Sequence, residues 1–394
     1  MLARCMLQMA WHFAMLHSAW SYKLANLPLP VEVDVSEPTL ASGSVGRDRP
    51  VTPVTRVVFM KLHSVGSGTL ATILFHYADN HNLTSAAPGK YYPSHELYHS
   101  TVGPDVLSRM ASEHPGSINI WPIHAVMDDA LDLLVPGNVK IAFFRNPLDR
   151  VMSSMKHFLT FPKQVSIDNT SAGYRQLLNN QAPTAWCGKA NPEALDKCCG
   201  PMAGQPMTEQ LPLSQFHKLD YVMLQEHYDR SLLMLRRRLG WSLADVLYLS
   251  THVNHMHNRR PEEQQLLDDI AAYLKSGSRT PWGERFVSNC IKGQEEEIYT
   301  AATKKFQTQW EAFSLAEQQE MREELRCFQN ALRTLSSCCT RQEDVFCEMM
   351  KETSEEWYTR HGDVFVQPPM PYPGLQGSSL CRDEAMSALR CRSH

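Results

Sequence analysis

Hydrophobic and polar residues follow one another along positions 57–77 in a pattern that predicts a strand, a loop and a helix in direct succession. The run Val57–Met60 is wholly apolar, and it is too short for anything but a buried strand. Beyond it, apolar residues recur at the spacing of an amphipathic helix, at Leu70, Ile73, Leu74 and Tyr77. A loop of small and polar residues, 61–68, joins the predicted strand to the predicted helix, which spans 69–77.

The same pattern predicts two more strands and several helices. The strands are Lys140–Phe144 and Leu219–Leu224. The helices are Val126–Leu134, Leu148–Phe158, Ser231–Leu239, 263–274 and 294–333, and Gly240 ends the third of them. In the last helix, three aromatic residues share one face and are predicted to lie in the core: Phe306, Trp310 and Phe313.

The loop between the first strand and helix has the composition of an anion site. A strand, a glycine-containing loop and a helix can place main-chain N–H groups and the positive end of a helix dipole around an anion. Lys61 and His63 add a cation and a titratable nitrogen. The loop is not a Walker A motif, because its second glycine is not followed by the pair Lys-Ser or Lys-Thr. It predicts a phosphate or sulfate cradle, and the alternative is an ordinary strand-to-helix turn whose glycines serve local geometry.

Two further residues are candidates from their position alone. Arg145 follows the strand Lys140–Phe144 directly, and open α/β sheets bind ligands at the carboxyl ends of their strands. The alternative for Arg145 is a surface residue that pairs near a turn. His124 follows the segment Asn119–Trp121, and for this residue a structural role and a functional role are equally open.

Length and composition exclude some classes of protein. The chain has 394 residues, a length that is enough for one large α/β domain with extensions or for two domains. Its formal charge is −4. A general nucleic-acid binder would be strongly basic, so no nucleic-acid partner is predicted. Eleven cysteines without a zinc-ligand spacing favour disulfides and an oxidising compartment. Two glycosylation sequons, at Asn82 and Asn169, agree with a secretory location.

The chain divides by composition into four predicted parts. Residues 1–23 contain a short, interrupted apolar run that predicts a weak signal anchor, a signal peptide or an amphipathic helix. Residues 24–53 are rich in Pro, Ser, Val and Gly and predict a stem or linker. The main domain is predicted at 54–335 with an irregular insertion at about 160–215, and a cysteine-containing extension follows at 336–394.

Four segments of the chain resemble galactose-3-O-sulfotransferases, the family that includes galactosylceramide (cerebroside) sulfotransferase. In chain order they are FMKLHSVGSGTLATILFHYADNHNLT, NIWPIHAV, IAFFRNPLDRVMSS and DYVMLQEHYDRSLLMLRRRLGWSLADVLYL. Together they cover roughly Val54 to Trp310, whereas the insertion and the tail match poorly. Four matches in one order are more specific than the loop alone, so the sequence is identified as a member of this family.

The resemblance implies a fold, an activity and a location. The fold would be a P-loop-like sulfotransferase fold, an α/β architecture with a central parallel sheet flanked by helices. The donor would be 3′-phosphoadenosine 5′-phosphosulfate (PAPS), with no metal expected, and the acceptor a terminal galactose of a glycolipid or glycan. Members of the family are type II Golgi membrane proteins with a lumenal catalytic domain.

The resemblance also assigns candidate site residues. It maps the 5′-phosphosulfate site onto Lys61, Ser64, Gly66, Ser67, Gly68 and Thr69, and the 3′-phosphate site onto Arg145 and Ser153, with Ser154 beside it. Sulfuryl transfer, like phosphoryl transfer, is catalysed mainly by positioning and charge stabilisation. Lys61 would neutralise charge on the departing bridging oxygen. His63 is the first candidate for the base that takes the acceptor proton, and His124 is the second or instead orients the acceptor.

One departure from the family pattern bears on activity. Related enzymes have a lysine immediately before the Thr-Gly of this loop, where this chain has Ser64, and Val65 replaces the usual threonine. Loss of one transition-state donor costs on the order of a hundred- to a thousandfold in rate. Two hypotheses follow: an enzyme that works with Lys61 or another cation, or a nucleotide- or glycan-binding relative with impaired catalysis. A P-loop kinase or NTPase is disfavoured, because the Gly-Lys-Ser/Thr triplet is missing.

Overall fold

A six-stranded sheet forms the centre of the computed structural model of this chain. The structure describes residues 52–87, 101–158, 207–249, 294–342, 344–353, 356–357, 365–369 and 379–389. The strands are β1 (Val57–Met60), β2 (Ser85–Ala86), β3 (Ile120–Trp121), β4 (Val139–Phe144), β5 (Tyr221–Leu224) and β6 (Val366–Gln367). The prediction of β1 is confirmed residue for residue, and those of β4 and β5 are confirmed to within two residues.

The sheet is parallel except at one edge. Its strand order is β5-β4-β1-β3-β2-β6, and only the pairing of β2 with β6 is antiparallel. All four residues of β1 are fully buried, as are those at the carboxyl half of β4. Strands of parallel sheets are covered on both faces and therefore read as continuous apolar runs rather than alternating ones. This is why short hydrophobic runs in the sequence are sufficient to locate β1, β4 and β5.

Helices flank this sheet, so the predicted α/β class with a central, mostly parallel sheet is confirmed. Their bounds are α1 (Ser67–Asn80), α2 (Pro104–Glu113), α3 (Ala130–Leu134), α4 (Pro147–Phe158), α5 (Met207–Gln210), α6 (Tyr228–Leu239), α7 (Gln294–Glu311), α8 (Leu315–Arg341), α9 (Val345–Lys351) and α10 (Leu380–Leu389). Helix α6 ends at Gly240, which has a left-handed φ of 69° and closes the helix as the sequence predicts. The described residues all lie within one compact unit of the chain.

Two predicted helices are wrong in extent. The segment Val126–Leu134 is helical only from Ala130, since the chain before it runs beside Val102, with a parallel bridge at Ala125 and a bond from the N–H of Val126 to the carbonyl of Val102. The predicted helix 294–333 is two helices, α7 and α8, with a break between them.

The break between α7 and α8 has a local cause. Ser314 accepts a bond from the N–H of Glu317, and the Glu317 side chain accepts from the N–H of Ser314. This reciprocal capping box starts a new helix, and the Ser-x-x-Glu spacing that signals it is legible in the sequence. The aromatic face is confirmed as core: Phe306 and Trp310 are buried, and Phe313 packs against the core partly buried.

The predicted C-terminal extension adds elements to this unit. Strand β6 pairs with β2 at the sheet edge, and α10 packs against α8. The disulfide Cys338–Cys381 joins α8 to α10, and the disulfide Cys339–Cys347 joins α8 to α9. Three of their sulfurs, those of Cys339, Cys347 and Cys381, lie within 4.8 Å of one another, but disulfide sulfurs present no thiolate to a metal ion.

Several predictions fall on residues outside the described part of the chain. These are the segment 1–23, all but the last two residues of the segment 24–53, the helix 263–274, most of the insertion at 160–215 and the sequon at Asn169. Within the described ranges, no helix combines the length and apolar character needed to span a bilayer.

Candidate functional site

The loops after β1 and β4 leave the sheet in opposite directions. After β1 the chain proceeds to β2 on one side, whereas after β4 it proceeds to β5 on the other. Such a reversal opens a crevice at the carboxyl ends of the strands, where open α/β sheets bind ligands. Met60 pairs with Ala142, and β4 continues to Phe144, so Arg145 lies beyond the end of β1 beside its loop. We call the region formed by 61–69 and Arg145 the switch-point crevice.

The turn that leads into α1 has the backbone form of an anion site. Ser64 and Gly66 both have left-handed φ angles, 61° and 80°. Left-handed residues in a tight turn direct successive main-chain N–H groups to one side, which creates a concavity for anions. Helix α1 begins at Ser67, and Gly66, its N-cap, has no side chain to occupy the N–H groups of the first turn. The helix dipole adds partial positive charge at the same place.

The side chain of Gln225, directly after β5, covers Gly66. A Cβ at position 66 would lie 2.1 Å from Oε1 and 2.8 Å from Cδ of Gln225. Glycine is therefore favoured at position 66 for two reasons, its left-handed φ and the occupied space. The Oε1 atom of Gln225 is buried and has no hydrogen-bond partner within the described ranges.

Arg145 reaches from β4 to the β1–α1 loop. Its Nη1 donates to the carbonyl oxygen of Ser64 at 3.3 Å. Burial lowers the pKa of Arg145 from its ordinary value, and the carboxylates of Asp149 and Glu226 act against that shift. An arginine remains charged at physiological pH despite such a shift, so a cation lies at the mouth of the predicted cradle.

Two predicted histidines lie together on the other side of the loop. The rings of His63 and His124 are stacked with centroids 3.9 Å apart and planes 7° apart. Nδ1 of His124 contacts the carbonyl oxygen of Lys61, which can only accept. Nδ1 of His124 therefore carries the proton in this arrangement, and the basic lone pair of the neutral ring is on Nε2.

Gln210, at the end of α5, bonds to the main chain on both sides of Leu62. Its Nε2 donates to the carbonyl oxygen of Lys61 at 3.0 Å, and its Oε1 accepts from the N–H of His63 at 3.2 Å. Nε2 also lies 3.4 Å from Nδ1 of His124. Because both of these nitrogens carry hydrogen, that approach is a contact rather than a hydrogen bond. Gln210 is fully buried.

Comparisons with known proteins agree with the resemblance seen in the sequence. The family described as galactose-3-O-sulfotransferase matches residues 1–187. Galactosylceramide sulfotransferase of Mus musculus is 29% identical over 239 residues, which cover 56% of this chain and 52% of that protein. This chain is similar to the galactose-3-O-sulfotransferases over about half of its length. Galactose-3-O-sulfotransferase 2 of Homo sapiens is 28% identical over 210 residues, half of each chain.

Galactose-3-O-sulfotransferase 3 of Bos taurus gives a further match, 26% identical over 213 residues, 49% of this chain and 47% of that protein. The chain therefore spans about half the length of these curated relatives. No solved structure gives a significant match.

The remaining candidates lie after β1 or on the helix that follows β4. Lys61 follows β1 directly and is 6% exposed. Ser67, Gly68 and Thr69 form the first turn of α1. Ser153, partly buried, lies on α4 about two turns beyond Arg145, and the side chain of Ser154 is outside the described part. The roles assigned to these residues by the galactose-3-O-sulfotransferase resemblance stay predictions.

Two residues that contact the loop, Gln225 and Gln210, are not predicted from the sequence as site residues. Gln225 follows a predicted strand directly, so the rule that ligands bind at carboxyl strand ends could have marked it. Gln210 has no such signal, because it lies in the stretch 160–215 that predicts an irregular insertion.

Proposed function

We propose that this chain is a carbohydrate sulfotransferase with a P-loop-like sulfotransferase fold, which transfers a sulfuryl group from PAPS to a galactose hydroxyl of a glycolipid or glycan. The observation that carries the proposal is the shared location of an anion-binding turn and a histidine pair, both at the end of β1, in a relative of the galactose-3-O-sulfotransferases. The first supplies a donor site, and the second supplies a base.

The donor site fits a phosphosulfate by its chemistry. The turn at Ser64 and Gly66 and the uncapped start of α1 offer main-chain N–H donors, which suit the oxygens of a phosphate. Arg145 adds a fixed cation whose planar fork matches phosphate geometry. Arg145 and Ser153 would hold the 3′-phosphate, and Lys61 to Thr69 would hold the 5′-phosphosulfate.

The proposed reaction is an in-line sulfuryl transfer. A bond forms between the acceptor oxygen and sulfur, while the bond from sulfur to the bridging oxygen breaks and releases 3′-phosphoadenosine 5′-phosphate. PAPS supplies the activated sulfuryl group. His63 takes the hydroxyl proton of the acceptor, because a neutral imidazole is a suitable base near neutral pH. Lys61 stabilises the negative charge that develops on the departing oxygen.

His124 supports this assignment from beneath the ring of His63. Its Nδ1–H donates to the carbonyl of Lys61, so its orientation is coupled to the loop that holds the donor. His124 would orient the acceptor or serve as a second base through Nε2. No metal is required by this scheme, since main-chain donors and two cations provide the charge stabilisation.

Location in the Golgi lumen with membrane association is part of the proposal. The disulfides Cys338–Cys381 and Cys339–Cys347 favour an oxidising compartment. Asn82, the acceptor of one sequon, is exposed in the turn after α1, where a glycan can be attached.

The alternative is a relative that binds the nucleotide or a glycan but turns over poorly. Its basis is Ser64, where related enzymes have lysine. Ser64 supplies no charge, and its carbonyl oxygen accepts from Nη1 of Arg145. In the enzyme hypothesis, Lys61 or another cation replaces the missing lysine.

Transfer and binding measured side by side decide between the two. Labelled sulfate transfer from PAPS to a panel of β-galactosides is compared with the equilibrium affinity for 3′-phosphoadenosine 5′-phosphate, in the native chain and in Ser64→Lys. Transfer by the native chain establishes the enzyme. Binding without transfer, with transfer restored by Ser64→Lys, establishes the impaired relative. Absence of both transfer and binding contradicts the proposal and its alternative alike.

A further inference from the structure

We propose that Gln210 is a positioning residue for the transfer reaction, whose buried amide fixes Lys61 and His63 relative to His124. The inference rests on the proposed sulfotransferase function. Among the described residues, Gln210 has the one side chain that bonds to main-chain groups on both sides of Leu62. Those groups belong to the two residues that the proposed reaction uses as cation and base.

The bonding pattern admits only one orientation of the Gln210 amide. The carbonyl of Lys61 needs a donor and the N–H of His63 needs an acceptor, and the amide provides Nε2–H for the first and Oε1 for the second. Rotating the amide by half a turn would place its NH2 group against the N–H of His63 and its oxygen against the carbonyl of Lys61, so neither hydrogen bond could form. A glutamate has no donor at neutral pH, and a methionine of similar length has neither group.

Gln210 itself is held by contacts outside the loop. Its main-chain carbonyl accepts from the N–H of Met127 at 2.7 Å. The helix that carries it, α5, starts at Met207, whose N–H donates to Oε1 of Glu295. The other oxygen of Glu295 accepts from Nε of Arg150 at 3.1 Å, and both of these charged side chains are buried. Charge-assisted bonds of this kind are stronger and better oriented than neutral ones.

This series of contacts connects the two loops of the switch-point crevice. Arg150 lies on α4, the helix that follows Arg145, and Glu295 starts α7. From Glu295 the contacts run through α5 to Gln210 and then to the β1–α1 loop. The amide of Gln210 is therefore supported by a buried ion pair, and a side chain fixed in this way can hold reacting groups in position.

The first test needs no substrate. Hydrogen–deuterium exchange of peptides that cover 60–69 is measured in the full chain, in Gln210→Met and in Gln318→Met. Gln318 is a matched control, a buried glutamine that donates to main-chain carbonyls of Phe313 and Trp310 away from the crevice. We expect exchange at the loop to rise by about tenfold in Gln210→Met, as for loss of one net hydrogen bond, and not in Gln318→Met.

The second test uses the reaction. We expect Gln210→Met to lower kcat by about a hundredfold, because small misplacement of reacting groups has effects of that size. The affinity for 3′-phosphoadenosine 5′-phosphate should change by less than about threefold, because the main-chain donors at the start of α1 remain. Gln210→Glu adds a negative charge beside His63, which favours imidazolium, so the acidic limb of the pH–rate profile should move to higher pH. That shift identifies His63 as the titrating base, and the fall of kcat at nearly constant nucleotide affinity in Gln210→Met reports the positioning role, because a merely structural role would lower both.

The outcomes separate this inference from the proposed function. Unchanged loop exchange in Gln210→Met, or a full rate with an unmoved pH profile in Gln210→Glu, overturns the positioning role. If the native chain transfers no sulfate, the proposed function fails instead, and the exchange measurement still decides whether Gln210 fixes the loop.

Discussion

The imidazole of His63 lies face to face with that of His124, with ring centroids 3.9 Å apart. Two positive charges at that distance would repel by about 4 kcal/mol in a medium of effective dielectric near 20. The pair therefore resists double protonation, which keeps at least one imidazole neutral and able to accept a proton. This relationship gives the proposed base a physical basis beyond its place in the sequence.

The His63→Ala variant tests the assignment of the base. We expect sulfate transfer to fall by about a hundred- to ten-thousandfold, the usual contribution of general base catalysis. Affinity for 3′-phosphoadenosine 5′-phosphate should be nearly unchanged, since the N–H groups at Ser67 to Thr69 are retained. The control is His81→Ala, because His81 pairs with Asp245 at the far end of α1. Equal loss of transfer in both variants would contradict the assignment.

A pair of glycine substitutions tests the cover that Gln225 places over the turn. Gly66 and Gly137 both have left-handed φ angles, but a Cβ at Gly137 would meet nothing within 4 Å. Both alanine variants should lower the free energy of unfolding by about 1–2 kcal/mol through backbone strain. Only Gly66→Ala should also displace the flexible end of Gln225 and weaken nucleotide binding. Equal nucleotide affinity in the two variants would refute this role of the contact.

The strand, loop and helix that form the site can be predicted from the sequence, whereas the contacts that support them cannot. The turn between β1 and α1 could be predicted because its strand, glycines and helix are consecutive residues. The bond from His63 to Gln210 spans 147 positions, so no local pattern reports it. Arg150 and Glu295, 145 positions apart, form a buried pair for which the sequence offers only two ordinary charged residues.

Two further differences between prediction and structure have different causes, one local and one tertiary. Periodicity continues across Phe313 and Ser314, but the capping box formed by Ser314 and Glu317 divides the pattern into two helices. Strand β6 has two residues and pairs at the edge of the sheet, so its hydrophobic signal is too short to be recognised. The capping box is thus a local signal, whereas β6 depends on its tertiary pairing with β2.

The disulfides Cys338–Cys381 and Cys339–Cys347 should differ in their contribution to stability. Cys338–Cys381 closes a loop of 43 positions, and Cys339–Cys347 closes one of 8. By the loop-entropy relation, we expect loss of the first to cost about 4 kcal/mol and loss of the second about 2.5 kcal/mol. The measurement is urea unfolding of the two double alanine variants. Greater loss of stability on removing the shorter loop would contradict the prediction.

The carboxylate of Asp344 should make the C-terminal region sensitive to acid. Burial acts to raise its pKa, but hydrogen bonds from Ser379 and from the N–H of Phe346 outweigh that effect and hold the pKa below 3.8. A depressed pKa stabilises the fold above the unfolded value, and this contribution is lost as pH falls through the folded value. Asp344→Asn should therefore reduce stability by about 1 kcal/mol at neutral pH.

The difference between Asp344→Asn and the native chain should shrink as pH falls below 3.8, where the native carboxylate itself becomes protonated. Urea midpoints measured across the acid range check this. A difference that stays constant with pH would show that the charge of Asp344 contributes nothing.

The most direct test of the central claim is transfer of labelled sulfate from PAPS to a terminal β-galactoside by the native chain, with Lys61→Ala and His63→Ala measured beside it. We expect transfer by the native chain and loss of at least about a hundredfold in each variant. A native chain that transfers no sulfate to any β-galactoside, or one whose transfer survives both substitutions, would contradict it.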